Sequence, residues 1–180
     1  MKFIETPIEG LWVIEPVRHG DERGYFMEAF RADEFAAHVG AVTFVQDNES
    51  VSRRGVLRGM HLQKGEWAQA KLVRVSRGEV YDVVVDLRPG SKTYGRWHGE
   101  LLSAANCRQM FVPRGFAHGF LVMSDEAQFQ YKVDNVYAPQ SEASLRWDDP
   151  DVGIEWPDPG CELLLSAKDT AAVPLSELKL

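Results

Sequence analysis

The run from Gln46 to Gln63, QDNESVSRRGVLRGMHLQ, gathers the groups of this chain best able to do chemistry. Arg53, Arg54 and Arg58 supply forked cationic donors, which suit the oxygens of a phosphate or carboxylate. Gln46 and Asn48 add amides. His61 adds the one side chain whose ordinary pKa, about 6.5, lets it take up and return protons near neutrality. Lys71 follows within a strand's length. Anion-binding groups beside an imidazole describe a site that holds a charged ligand and moves a proton on it. If His61 lies on a strand, Gly59, His61 and Gln63 share one face and Met60 and Leu62 the other, which puts the imidazole on the more polar side. A lone histidine is more often a structural hydrogen-bonder, so the run leaves both roles open.

Other candidates lie downstream. Tyr131, in QFQYKVD, shares a face with Phe129 and Val133. It is either a core aromatic with a satisfied hydroxyl or, with a phenol pKa of about 10, a proton donor to a carbanion. Lys71 is either a surface lysine or a fixed charge opposite a developing oxyanion. Asp169, in LLLSAKDTAAVPL, either caps a helix or reaches a histidine and sets its tautomer; spacing does not decide between them. A barrel metal site would need histidines at alternate strand positions with a carboxylate close by. Position 63 is glutamine, His118 is followed by Gly119 and Phe120, and His19, His38 and His98 show no ligand spacing. No metal is expected. There is no Gly-x-Ser-x-Gly elbow, Walker loop or dinucleotide fingerprint, and Gly55 and Gly59 are better explained by turns and close backbone approach.

A net charge of −7 disfavours a nucleic-acid binder. The positive charge is local. Residues 51–78 carry Arg53, Arg54, Arg58, Lys64, Lys71, Arg74 and Arg77 against Glu66 alone, whereas 147–158 are acidic. That pattern suits a small anion better than a polymer. No run reaches the roughly 18 apolar residues of a membrane span, and MKFIETPIEGLW lacks the basic start and apolar stretch of a signal peptide. A cytoplasmic location is therefore expected, with Cys107 and Cys161 as free thiols.

The elements that must position these groups are mostly strands. In EVYDVVVDLR (79–88), Tyr81, Val83, Val85 and Leu87 share one face and Val80, Asp82, Val84 and Asp86 the other. KLVRV (71–75) alternates too, and further strands read at 99–103, 109–112, 119–123 and 128–133. Their spacing predicts an all-β antiparallel sandwich or barrel. Asp33 is expected to cap a short helix over 34–39 closed by Gly40, with a second short piece near 166–172. No repeat or linker divides the chain, so residues 1–180 read as one domain with a less regular arm from Pro139.

Taken together, PIEGLWVIEP, DERGYFMEAF (21–30), FVQDNESVSRRGVLRGMHLQ (44–63), AKLVRVSRGEVYDVVVDLRPGSKTYGRW (70–97), FVPRGFAHGF (111–120), YKVDNVYAPQSEASLRWDDPDVGIEWP (131–157) and LSAKD (165–169) resemble the dTDP-4-dehydrorhamnose 3,5-epimerase family, cupin-like jelly rolls. The resemblance spans nearly the whole chain. It implies His61 as general base, Tyr131 as general acid, Asp169 as the carboxylate partnering the histidine, and Lys71 near the sugar's keto oxygen. Arg23, Phe26, Glu28, Gln46, Asp47, Asn48 and Arg58 would hold the nucleotide, with Arg23 and Glu28 offered across a homodimer interface. His118, Glu142 and Lys168 would be further ligand contacts. The implied substrate is dTDP-4-dehydro-6-deoxy-D-glucose, epimerised at carbons 3 and 5 without any cofactor in dTDP-L-rhamnose biosynthesis. The alternatives are an epimerase acting at one of the two carbons and a barrel that only binds a sugar nucleotide.

Overall fold

Valine-rich alternation places one face of each central strand in the dry space between two sheets, where β-branched side chains pack well. The computed structural model describes all residues 1–180. In chain order the elements are β1 (Lys2–Glu5), β2 (Trp12–Glu15), β3 (Arg18–Asp21), β4 (Gly24–Met27), α1 (Ala32–His38), β5 (Gln46–Arg53), β6 (Leu57–Gln63), β7 (Lys71–Arg77), β8 (Glu79–Asp86), β9 (Trp97–Ser103), β10 (Gln109–Val112), β11 (Phe116–Val122), β12 (Glu126–Val133), β13 (Glu142–Ser144) and α2 (Ala167–Thr170). A six-stranded sheet, ordered β1-β2-β10-β7-β12-β5, faces a five-stranded one, ordered β13-β6-β11-β8-β9. All their pairings are antiparallel. The antiparallel all-β architecture expected from the strand pattern, and the cupin-like jelly roll that the resemblance implies, are what is found. No helix is long and apolar enough to cross a membrane.

Three apolar clusters hold the layers. Val73, Val75, Val80, Val84, Phe116, Phe120 and Phe129 fill the space between the sheets. Met60, Leu62, Val83, Val85 and Leu87 point out of the five-stranded sheet and are covered by Leu145 and Val152 of the C-terminal arm. Phe35 of α1 packs with Leu72 and Phe111 on the outside of the six-stranded sheet. The arm is tied down by parallel bridges between Val56 and Leu164 and between Leu145 and Val173. Both cysteines are free thiols, Cys107 buried and Cys161 exposed.

Two local findings bear on the site. The first helix begins at Ala32 with Arg31 in the cap position and no side-chain cap. Asp33 is therefore not the cap: it lies inside the first turn, where its carboxylate accepts from Arg31 Nε at 2.9 Å and meets the positive end of the helix dipole. At the other end Gly40 has φ +123, the left-handed geometry that favours glycine after a helix. Beside His61, a Cβ on Gly59 would lie 2.5 Å from Gly119 Cα. Glycine at both positions lets β6 and β11 approach closely where the register between them shifts.

Candidate active site

The two sheets part between β5 and β6, leaving a cavity of about 540 Å³. His61, Lys71, His118, Tyr131, Lys168 and Asp169 line it, together with Arg58. These residues span more than 100 positions, and strand parity explains how they meet. His61 leaves β6 on the face opposite Met60 and Leu62, as alternation requires. Lys71 and Tyr131 leave β7 and β12 on the inward faces they share with Val73 and Phe129. The imidazole thus comes from one sheet and the phenol from the other.

His61 Nε2 lies 2.7 Å from Asp169 Oδ1. An ionised carboxylate only accepts, so Nε2 donates and Nδ1 is left with the lone pair. Burial pushes the imidazole below its ordinary value; nearby Lys168 and Lys71 act the same way, and Asp169 opposes them. The ring is therefore neutral, and able to accept a proton, across the neutral range. Tyr131 is pushed up, chiefly by burial. Burial also brings Lys71 down from 10.5 to about 8, with Asp82 and Glu142 resisting.

Asp169 does two jobs. Ser166 opens α2 as its N-cap, its hydroxyl accepting from the Asp169 backbone N–H at 3.2 Å. Asp169 Oδ2 accepts in return from Ser166 N at 3.2 Å and from its hydroxyl at 2.6 Å. This is a capping box with aspartate as its acid. The other oxygen, Oδ1, serves His61 and accepts from Gly59 N at 3.3 Å. Against the cost of burial, the bonds from Ser166, the neighbouring His61 and the Gly59 amide hold this carboxyl below its ordinary value. Asp169 therefore closes the capping box through Oδ2 and partners His61 through Oδ1, while the N-cap itself is Ser166.

The remaining expected residues fall into three groups. Arg58 lines the cavity with Nε on Ser52 Oγ at 3.1 Å, leaving its other guanidinium nitrogens for a ligand. Lys168 lines it too, bonded to Glu142 at 2.5 Å, which brings that carboxylate to the rim. Gln46 donates to Asn48 Oδ1 at 2.8 Å and accepts from the Tyr137 amide at 3.2 Å, on the inward side of β5. Asp47 points the other way and pairs with Lys132 at 2.9 Å on the outer face. Arg23, Phe26 and Glu28 lie on or just after the hairpin of β3 and β4, away from the cavity. Phe26 is 71% exposed there, and Arg23 is bonded to Asp21 of its own hairpin. Arg18 moors the hairpin by donating to Ala105 O at 2.7 Å.

Asp82 was not singled out from the sequence, yet it is wholly buried and accepts from His118 Nε2 at 2.9 and 3.0 Å. Its signal was visible: an acid on the same strand face as Val80 and Val84. Ser166 was missed as well, although Ser-x-x-Asp before a helical stretch is a capping-box pattern.

Two histidine–carboxylate pairs, a half-buried lysine and a phenol meet around one cleft of a jelly roll, groups suited to moving protons on a bound anion. The family model for dTDP-4-dehydrorhamnose 3,5-epimerase matches residues 5–177, and the chain belongs to that family. It is 52% identical to the dTDP-4-dehydrorhamnose 3,5-epimerase of Methanothermobacter thermautotrophicus, over 98% of this chain and 95% of that one. The crystal structure of dTDP-6-deoxy-D-glucose-3,5-epimerase from Legionella pneumophila in complex with dTDP-4-keto-L-rhamnose superposes with a TM-score of 0.94 at 48% identity, covering 98% of this chain and 93% of that one. A dTDP-4-dehydrorhamnose 3-epimerase of Streptomyces niveus is 42% identical over 99% of this chain and 86% of its own length.

Proposed function

We propose that this chain epimerises dTDP-4-dehydro-6-deoxy-D-glucose at carbons 3 and 5, giving dTDP-4-dehydro-β-L-rhamnose for dTDP-L-rhamnose biosynthesis. The observation that carries the reading is the placement of base and acid on opposite walls of one cavity. Carbons 3 and 5 both lie α to the carbon 4 ketone, so their protons are acidic. His61 Nδ1, oriented by Asp169, takes a proton from one face of the ring. The electron pair moves into an enolate whose oxygen faces the Lys71 ammonium, a contact of the kind worth about 3 kcal/mol in a transition state. Tyr131, kept protonated by burial, returns a proton to the other face. Inversion needs two different groups on two sides, and β6 and β12 supply them.

Arg58, Gln46 and Asn48 would grip the nucleotide, with Lys168, Glu142 and His118 against the ligand. Arg23, Phe26 and Glu28 would reach a second copy's cavity in a homodimer, which accounts for a hairpin carrying a largely exposed phenylalanine and lying away from its own cleft. Asp47, paired with Lys132 on the outer face, would take part only through its backbone. The enzyme would work in the cytoplasm.

Deuterium wash-in during turnover of dTDP-4-keto-6-deoxyglucose tests the reading. Label at both carbons is expected, and no label at either one overturns it. The likeness to a 3-epimerase supports a second reading, in which label enters at carbon 3 alone. The higher identity to 3,5-epimerases favours the first.

A further inference from the structure

Asp82 has a partner but, so far, no task. It lies in the middle of β8 between two valines of the inter-sheet core and is fully buried. A carboxylate so placed is strongly unfavourable unless it is well paired. Its one hydrogen-bonding partner is His118 Nε2, held by both carboxylate oxygens. That bond fixes the ring with Nε2 as donor and leaves Nδ1 without a partner in the chain. Lys71, reaching in from the facing sheet, makes no hydrogen bond or ion pair within the chain, and Asp82 is the carboxylate acting most strongly on it.

We propose that Asp82 is a positioning residue of the epimerisation, its carboxylate holding Lys71 as an ammonium and locking the His118 ring, so that the cavity floor presents a cation and an oriented imidazole to the sugar. The inference rests on the epimerase reading. The charged and titratable groups around Lys71 are Asp82 from β8, Glu142 from β13, Lys168 from α2, His61 from β6, His118 from β11 and Tyr131 from β12, with Arg58 further along the cavity. Of these, Asp82 and Glu142 favour the ammonium and Lys168 opposes it. Glu142 already pairs with Lys168, which leaves Asp82 as the counter-charge available to Lys71. Burial pushes the Asp82 carboxyl above its ordinary value, and His118, Lys71 and more weakly His98 on β9 oppose that rise and favour the carboxylate. With Lys71 near 8, the ammonium is present below that pH and lost above it.

The test is Asp82→Asn, which keeps an oxygen for His118 and removes the charge, with Asp82→Ser as a second acceptor-bearing variant. Circular dichroism and dTDP binding certify each as folded. The expected result is a basic limb of the kcat–pH profile shifted down by about one pH unit, as loss of an opposite charge predicts. Activity then falls about tenfold above pH 8.5 and little below pH 6.5, with KM nearly constant. A loss of activity equal at all pH values, or an unmoved limb, overturns the proposal in favour of a merely structural role. So does failure of both variants to fold. Wild-type protein that binds dTDP but washes in no deuterium defeats the epimerase reading itself, a separate outcome.

Discussion

His61 and His118 are register partners on β6 and β11, each bound through Nε2 to a buried aspartate, yet the two pairs have different surroundings. The His61 side chain is 28% exposed and its aspartate sits on a short helix laid across the sheets. The His118 side chain is 7% exposed and its aspartate is part of a core strand. The chemical groups are identical; access and support are not. An imidazole at the cavity wall can exchange a proton with a ligand and with water. His118 borders the same cavity but is less exposed; stacked on Phe129 with ring centroids 5.9 Å apart and bonded to Asp82, it is held in a single orientation. In the proposed mechanism, burial and scaffold, more than residue type, would set the difference between a base and a brace.

The largest effect that could break this contrast is His61→Ala. Deuterium exchange should fall by roughly 10³-fold or more while dTDP binding and the urea midpoint stay near wild type. Near-normal exchange would remove His61 as the base. His118→Ala should do the reverse in kind, lowering stability by about 3 kcal/mol because it strands Asp82 in the core, as a urea titration would record. If both variants proved equally stable, the brace would be no brace. Asp169→Asn should cost about 10²-fold in kcat, since the amide removes the negative charge beside His61 and turns one of the two accepting oxygens into a donor. Ser166→Ala is smaller: about 1 kcal/mol from the lost cap, with a modest drop in kcat as Asp169 loosens. The subtlest test is pH. If His61 is the proposed base, its burial-depressed pKa puts the acid limb of kcat below about 6.5, the ordinary histidine value. In Asp169→Asn the limb should move lower still, because the group favouring the imidazolium is gone. A limb above 6.5 would contradict the burial described for His61.

Much of this was legible in the chain itself. Period-two alternation gave the inward and outward faces of β7, β8 and β12, and with them the placement of Lys71 and Tyr131. The edge elements were less legible for physical reasons. QDNESVSR forms β5 with almost no apolar alternation, because its inner face borders a polar cleft. RHGD and GYFM form a hairpin with little burial at all. The cap at Asp33 failed because a carboxylate inside the first turn satisfies the helix dipole as well as one at the cap position. Asp169 stayed ambiguous because a role at the helix start and a histidine partner looked like rivals; Ser166 is the cap, and the two Asp169 oxygens serve the capping box and His61 separately.

That shared carboxylate has a consequence for how the protein is made. The residue that readies His61 arrives 108 positions later in the chain. Synthesis runs from the N-terminus, so all the barrel strands can pair before His61 has its Asp169 partner. On the proposed mechanism, competence would then come as a late step, when the arm crosses back and the Ser166–Asp169 turn winds up. A chain whose sheets have formed but whose arm is still free would hold most of the cavity's groups and carry out little of its reaction.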